Sequence, residues 1–208
     1  MSKYEYKIKN FIEYQIGNIK NPSIIEFGVK EGRSTKMFLD LCEKNDGKLF
    51  SIDIKDYSSL FNNKNWNFIL SRDDNFEYLE SKLPKKNDII YLDSLHEADH
   101  VEKIFYYYFK KLKIDGLFYI DDISWLPYLK NAERNNFYCE TNNRETFERL
   151  LSIYASNEEN FDIEFSFQSS GMCKIRKKRE ELHPKKKIIS RQISLKNILK
   201  KTYNKFKK

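Results

Sequence analysis

The sequence predicts an α/β protein: a mostly parallel sheet covered by helices on both faces and closed by an antiparallel hairpin. Three observations predict it. Short apolar runs alternate with segments whose apolar residues recur at helical spacing, and that alternation implies parallel strands joined by crossover helices. The first run, Ser23–Phe27, leads into a glycine-punctuated turn and then an amphipathic helix. The last two runs, 161–168 and 172–176, flank Ser169-Ser170-Gly171, a turn that places one antiparallel strand near an edge.

Each element has its own signal. Residues 4–19 set Ile8, Phe11, Ile12 and Ile16 on one face, an amphipathic helix ahead of the first strand. Asn21-Pro22 bounds that strand, and Gly28 and Gly32 bracket the turn after it. In the helix at 33–44, Met37, Phe38, Leu41 and Cys42 form the inner face. Asp46-Gly47 turns the chain into a second strand at 49–54, and 57–62 is a short helix or loop. A third strand at 66–70 precedes a helix at 74–82, which Pro84 stops. The fourth strand is 88–93, followed by a long helix at 97–113 that ends near Asp115-Gly116, and the fifth strand is 117–123. Residues 124–143 read as a loop of about twenty residues, long enough for a lid or a substrate loop. A helix at 144–155 precedes the hairpin, and the chain contains no internal repeats.

Composition bounds the function. With 208 residues the chain accommodates one domain, 1–178, and a basic tail, 179–208. There is no run of eighteen apolar residues, and the polar start M-S-K-Y-E-Y-K carries no secretory signal. Cys42, Cys139 and Cys173 are odd in number and form no C-x-x-C. That fits a reducing, cytoplasmic setting and excludes a disulfide scaffold or zinc ribbon. The net charge of +7 is unevenly spread: residues 174–208 hold fifteen Lys and Arg against Glu180 and Glu181, a net of +13, leaving residues 1–173 at −6. An acidic body argues against a nucleic-acid enzyme, which spreads positive charge around its site. In the tail, Ile188, Leu195, Leu199, Tyr203 and Phe206 fall on one helical face among lysines. Such a segment suits an anionic membrane or another polyanion, making the protein peripheral at a membrane; a helix packing on the body, or a partly disordered extension, is the competing expectation. Because the chain holds little beyond a minimal fold, a homo-oligomer that helps to close the pocket is also expected.

The glycine turn has the spacing E-x-G-x-x-x-G-x-S, with Glu26, Gly28, Gly32 and Ser34. Lys30 fills a position where a dinucleotide fingerprint needs glycine, and Gly32-Arg33-Ser34 supplies no P-loop lysine. The pattern resembles the first motif of class I S-adenosylmethionine (AdoMet)-dependent methyltransferases. That resemblance implies a Rossmann-like, doubly wound sheet of seven strands, with the acid and glycines holding the methionine end and ribose of AdoMet. Asp53, twenty-five residues after Gly28 at the end of the second strand, is placed to grip a ribose diol. Asp73 and Asp74 after the third strand resemble the segment that contacts adenine, although helix N-capping accounts for them nearly as well.

A further group lies at the ends of the fourth and fifth strands: Asp93, His96, Asp121 and Asp122. Three carboxylates on adjacent strand ends repel unless a cation joins them, and an all-oxygen set suits Mg²⁺, Mn²⁺ or Ca²⁺. Y-L-D-S-L-H, a long helix, a glycine and then L-F-Y-I-D-D-I resemble the metal-dependent O-methyltransferases. The macrocin-type sugar enzymes are nearest, and the catechol and caffeoyl-CoA types are more distant; the catechol type has Asp-Asn where this chain has Asp121-Asp122, which favours the sugar group. The resemblance spans 23–125. It implies a divalent metal, Mg²⁺, on Asp93, Asp121 and Asp122, His96 as base, and a sugar-like small-molecule hydroxyl as acceptor. The plainer reading has Asp93 touching cofactor while Asp121 and Asp122 cap a loop. Other readings stay open: a methyltransferase of another acceptor, RNA included; a non-catalytic AdoMet-binding protein; and a zinc metallopeptidase through His96-Glu97-Ala98-Asp99-His100, formally H-E-x-x-H. No proline follows Asp93, so the Asp-Pro-Pro-aromatic turn of amino-group methylation is missing. The run Phe105 to Phe109 reads as core, His100 as a surface or packing residue of its helix, and His183 as a solvated tail residue.

Overall fold

In a computed structural model, residues 3–125, 137–189 and 194–206 are described. Seven strands form one sheet in the order β3-β2-β1-β4-β5-β7-β6: β1 Ser23–Phe27, β2 Lys48–Asp53, β3 Trp66–Leu70, β4 Asn87–Leu92, β5 Leu112–Asp121, β6 Phe161–Ser166 and β7 Met172–Lys177. The first five are parallel, and β7 runs antiparallel to both β5 and β6. This is the doubly wound architecture expected from the alternation.

Helices cover both faces. On one side lie α1 (Lys3–Ile8), α2 (Tyr14–Ile16) and α3 (Arg33–Asn45), and on the other α4 (Phe76–Glu80), α5 (Ala98–Phe109) and α6 (Phe137–Tyr154). A single π turn, Lys9–Glu13, joins α1 to α2; such turns re-aim side chains inside a helix and recur at functional sites. The core divides accordingly. Phe11, Ile12, Ile16, Phe38 and Cys42 pack beneath the sheet with Tyr91 and Tyr119. Phe105, Tyr108, Phe109 and Ile153 pack above it with Phe27, Phe118 and Phe161. The aromatic run of α5 is therefore core, as expected.

Several boundaries differ from the sequence reading. The fifth strand begins at Leu112, so 112–116 extend the sheet where a helix end was expected. Lys177 explains the early stop: its buried ammonium donates to the carbonyls of Phe109 (2.9 Å) and Leu112 (2.8 Å), satisfying the orphan helix end. Pairing of Asn87 with Leu112 then recruits the chain into the sheet. The helix expected at 144 begins at Phe137, so the long loop is shorter than expected; 126–136 lie outside the described residues. Cys139 is among residues whose side chains are not described, while Cys42 and Cys173 are free and buried. The first part of the tail lies on the body: His183 exchanges hydrogen bonds with Asn157 (2.6 and 2.9 Å), and Ser152 donates to the carbonyl of Lys186 (2.5 Å). Beyond it, α7 spans Leu195–Phe206. No helix among the described residues is long and apolar enough to cross a membrane.

Candidate active site

Register alone lines up the site. Phe27 pairs with Ile52 of β2 and with Leu92 of β4, and Leu92 pairs with Ile120 of β5. One step further, Asp53, Gly28, Asp93 and Asp121 stand side by side at the carboxyl ends of four adjacent strands, where open α/β sheets bind ligands. Two adjoining cavities open there. One, of about 400 Å³, is lined by Tyr4, Ser34, Asp93, His96, Asp122 and Ser170 among others. The other, of about 350 Å³, is lined by Asp53, Ile54, Ser71, Asp73, Leu95 and His100. Gly28, Lys30, Asp93 and Ser94 form their shared wall.

Gly28 (φ +94°) is required by packing: a Cβ there would lie 2.0 Å from the carbonyl oxygen of Asp93. The resemblance implied that both glycines help to hold AdoMet. At Gly28 the close neighbour is the protein's own fourth strand. At Gly32 (φ +72°) it is the ring of Phe61, 2.8 Å from an added Cβ, and Gly32 opens onto a separate groove. Glu26 also departs from its expected role at the cofactor surface. It is fully buried beneath the turn, accepting hydrogen bonds from Ser34 (2.6 Å), Thr35 (2.8 Å) and Ser51 (2.6 Å). Burial pushes its pKa up to about 7, against the pull of those three hydroxyls. Glu26 thus braces the turn, while Ser34 reaches the cavity wall.

Asp53 stands where expected, at the end of β2. One oxygen accepts the N–H of Val29 (2.8 Å), and the other accepts that of Lys55 (2.9 Å). Asp73 lines the same cavity and accepts from Ser94 (2.5 Å), with His100 Nε2 at 2.8 Å. Asp74 instead lies outside both linings, paired with Arg72 (2.8 Å) and Lys103 (3.1 Å). Its hydrogen bond from Arg72, more than that from Lys103, holds its carboxyl well below the usual range. Neither carboxylate makes a side-chain cap on α4, whose N-cap is Asn75. Of the two expectations for His100, surface or packing, the structure shows packing: its side chain is a buried part of this wall.

The first cavity holds the titratable cluster. His96 Nε2 lies 3.5 Å from Asp93 Oδ1 and 3.4 Å from Asp122 Oδ2. Asp122 (φ +57°) follows the last residue of β5, and this left-handed turn aims its carboxylate at His96 while Asp121 points inward. The Tyr91 hydroxyl bridges Asp121 Oδ2 (2.8 Å) and Asp93 Oδ2 (3.3 Å), and Tyr4 from α1 joins it at 3.2 Å. Enclosure, then the charges of Asp121 and Asp122, push the Asp93 pKa well above the ordinary carboxylate value; Lys7 opposes this. Enclosure and the adjacent carboxylates likewise raise the Tyr4 and Tyr91 phenols.

Lys7, Tyr4, Tyr91 and Ser170 were missed by sequence reasoning. The only available signal was Tyr4 and Lys7 one helical turn apart in the first helix. Lys7 changes the metal expectation. Its ammonium is fully buried and ion-paired with Asp121 Oδ1, which also accepts the N–H of Asp122 at 2.7 Å. Asp121 therefore does not present free oxygens beside Asp93 and Asp122. Among the described residues no group of three or more His, Cys, Asp or Glu is arranged to hold a metal ion. The residues do not fit a cation shared by Asp93, Asp121 and Asp122. The peptidase arrangement is not formed either: His96 precedes α5 and faces Asp93, while His100 lies in α5 and faces Asp73.

The chain carries an AdoMet-dependent methyltransferase domain. Residues 25–123 match a family model described as a methyltransferase domain. Among solved structures, the chain is similar to MycE methyltransferase from the mycinamycin biosynthetic pathway, in complex with Mg and SAH. The TM-score is 0.64 at 18% identity, over 86% of this chain and 54% of that one. It also resembles a protein from Staphylococcus aureus provisionally described as a caffeoyl-CoA O-methyltransferase (TM-score 0.60, 17% identity, 85% and 84% coverage). A third is the SAH-bound methyltransferase PaMTH1 of Podospora anserina (0.56, 14%, 85% and 86%). At such identities these likenesses are of fold, and the chain spans about half the length of MycE. No curated protein sequence matches the chain.

Proposed function

We propose that this protein is an O-methyltransferase that methylates a hydroxyl of a sugar or related small metabolite. The observation that carries the reading is His96, held between Asp93 and Asp122 on the wall of a cavity that adjoins the cofactor cavity. The cofactor cavity suits AdoMet in its own chemistry. Ile54 and Leu95 line it yet stay exposed, apolar surfaces that a nucleoside base would cover, and Asp53 stands at the strand end with acceptor oxygens. Bound there, AdoMet supplies an electrophilic methyl group, and its sulfonium is lost as a neutral thioether.

The chain's own residues do the rest. A sugar hydroxyl holds its proton too tightly to attack at neutral pH, so a base must take it as the O–CH₃ bond forms. His96 is placed to do so, and the flanking carboxylates orient the ring and stabilise the imidazolium that results. Lys30, Glu31 and Arg33 at the mouth offer polar contacts for a hydroxyl-rich acceptor. Two likenesses support the oxygen acceptor: the caffeoyl-CoA-type protein, and MycE in complex with Mg, SAH and mycinamycin VI.

The test is methyl transfer from labelled AdoMet to a panel of sugar nucleotides, glycosides and catechols, with product mapping by mass spectrometry. Methyl ethers lost in His96→Ala support the reading. Transfer to nitrogen, or to RNA in preference to every hydroxyl compound, overturns it.

A further inference from the structure

Lys7 lies far from the strand ends in sequence, yet its ammonium sits in the charge cluster with no exposure to solvent. Asp121 is saturated around it. Oδ1 takes Lys7, the Asp122 N–H (2.7 Å) and the Ser170 hydroxyl (3.4 Å), while Oδ2 takes the Tyr91 hydroxyl (2.8 Å). Ser170, in the β6–β7 turn, also accepts from Lys7 at 2.8 Å, fixing the ammonium from the far side. A divalent cation at Asp121 would have to displace these donors. It would then share a carboxylate with a buried like charge, and buried charges are tolerated only when paired.

We propose that Lys7 is a built-in substitute for a divalent cation: a positioning residue that neutralises Asp121 and ties the β4–β5 ends to α1 and the hairpin. Asp93 and Asp122 are left to orient His96, and no metal is bound at Asp121. The claim about cation binding stands on this geometry alone. The corollary, that methyl transfer survives chelation, rests on the O-methyltransferase reading.

Mn²⁺ binding to the full chain, followed by electron paramagnetic resonance, tests the first claim without any turnover. Wild type should bind Mn²⁺ no tighter than about 1 mM, the weak end of protein cation sites. Lys7→Ala should bind at least about tenfold tighter, because removing the ammonium leaves Asp121 Oδ1 without its cation. Should Lys7→Ala not fold by circular dichroism, Lys7→Gln replaces it. Wild-type binding at tens of micromolar that Asp121→Asn abolishes overturns the proposal, as does a folded Lys7 variant with no gain in affinity. Where turnover is measurable, EDTA should leave it unchanged; loss of turnover in EDTA, restored by Mg²⁺, also overturns the proposal.

A second inference has an independent basis. After Glu181 the sequence has no acidic residue and ten Lys and Arg. Its helix α7 leaves Leu195 (79%), Leu199 (67%) and Phe206 (86%) largely exposed, with Ile198 and Tyr203 also exposed, on one face. By helical periodicity Lys200 falls away from that face and Lys196 borders it. Apolar residues on one side, and a polar side whose only charges are positive, match an anionic lipid surface: the face enters the acyl boundary and the lysines meet headgroups. We infer that α7 docks this enzyme on anionic membrane. Flotation of the full chain should recover it with vesicles containing about 30% phosphatidylserine and not with neutral vesicles. Leu199→Asp with Phe206→Asp should cut recovery at least about tenfold, since both contribute the buried apolar area. Equal recovery on neutral and anionic vesicles overturns the inference. So does capture by single-stranded RNA, unaffected by the double variant, without vesicle binding.

Discussion

The two halves of the cleft are held together over very different distances in the chain. In the cofactor half, Asp53 reaches back 24 residues to Val29, and Glu26 reaches Ser34 and Ser51, 8 and 25 residues on. In the acceptor half, Lys7 meets Asp121 across 114 residues and Ser170 across 163, and Tyr4 meets Tyr91 across 87. The first half centres on one strand–turn–helix unit and its neighbouring strand, completed by the ends of β3 and β4. The second exists only once the first helix and the last hairpin have both docked. Local unfolding of either edge should therefore cost the acceptor half first and leave the cofactor half intact.

The sharpest way to break this division is His96→Ala. If the halves are separable, turnover falls by about 10²–10⁴, the range typical of general-base removal. AdoMet affinity, measured by calorimetry, should then change by no more than about twofold, because His96 faces Asp93 and Asp122 rather than the cofactor cavity. Parallel losses in both would mean one site rather than two.

Lys7→Met ranks next. It leaves Asp121 buried without its cation, a change that costs roughly 3–5 kcal/mol when one partner of a buried pair is removed. Urea unfolding should show a loss of that size. The double variant Lys7→Met, Asp121→Leu should recover part of it, because no unpaired charge remains. If Lys7→Met alone is neutral, Lys7 does not hold the acceptor half together.

The same contrast governs what the sequence could reveal. The sheet, its order of elements and the closing hairpin follow from apolar periodicity and turn residues, which are local signals. Asp53, Asp93, Asp121 and Asp122 were legible because each sits at or just after a strand end, and parallel sheets place such residues together. The errors share a cause as well. Glu26 ends beneath the turn because three hydroxyls and the packing of β1 claim it. Asp74 leaves the cavity because Arg72 and Lys103 claim it. The end of α5 was misplaced because Lys177, nearly seventy residues on, supplies its cap. Lys7 was invisible for the same reason: only the folded chain brings an N-terminal helix over the fifth strand.

Glu26 gives a smaller effect confined to the local half. Its folded pKa is raised from 4.5 to about 7, so between those values the native state binds a proton that the unfolded state releases. Stability from this group is therefore full below about pH 4.5 and declines as pH rises through 7. At about 1.4 kcal/mol per unit the decline is roughly 3 kcal/mol. Urea unfolding at pH 5 and pH 8 should show that wild type loses more stability over this interval than Glu26→Gln does. Equal slopes would show that Glu26 is ionised throughout and that its three hydroxyl partners outweigh burial.

Asp53→Ala is expected to have the mildest effect, and it tests the cofactor half directly. If Asp53 meets ribose hydroxyls as proposed, removing the carboxylate leaves those groups unpaired, a loss of about 1–3 kcal/mol in AdoMet affinity. The substitution also strips an acceptor from the Val29 N–H, 2.8 Å away, and so loosens the turn itself. Asp53→Asn separates the two contributions, because its amide oxygen still serves Val29 while its NH₂ group replaces one acceptor oxygen. Calorimetry should therefore rank wild type above Asn and Asn above Ala, with turnover at saturating AdoMet within a few-fold of wild type for the Asn variant. If Asn and Ala are equally weak, the contact to ribose dominates. If Asn equals wild type, the role of Asp53 is to hold the turn, and the cofactor half then depends on backbone geometry more than on carboxylate recognition.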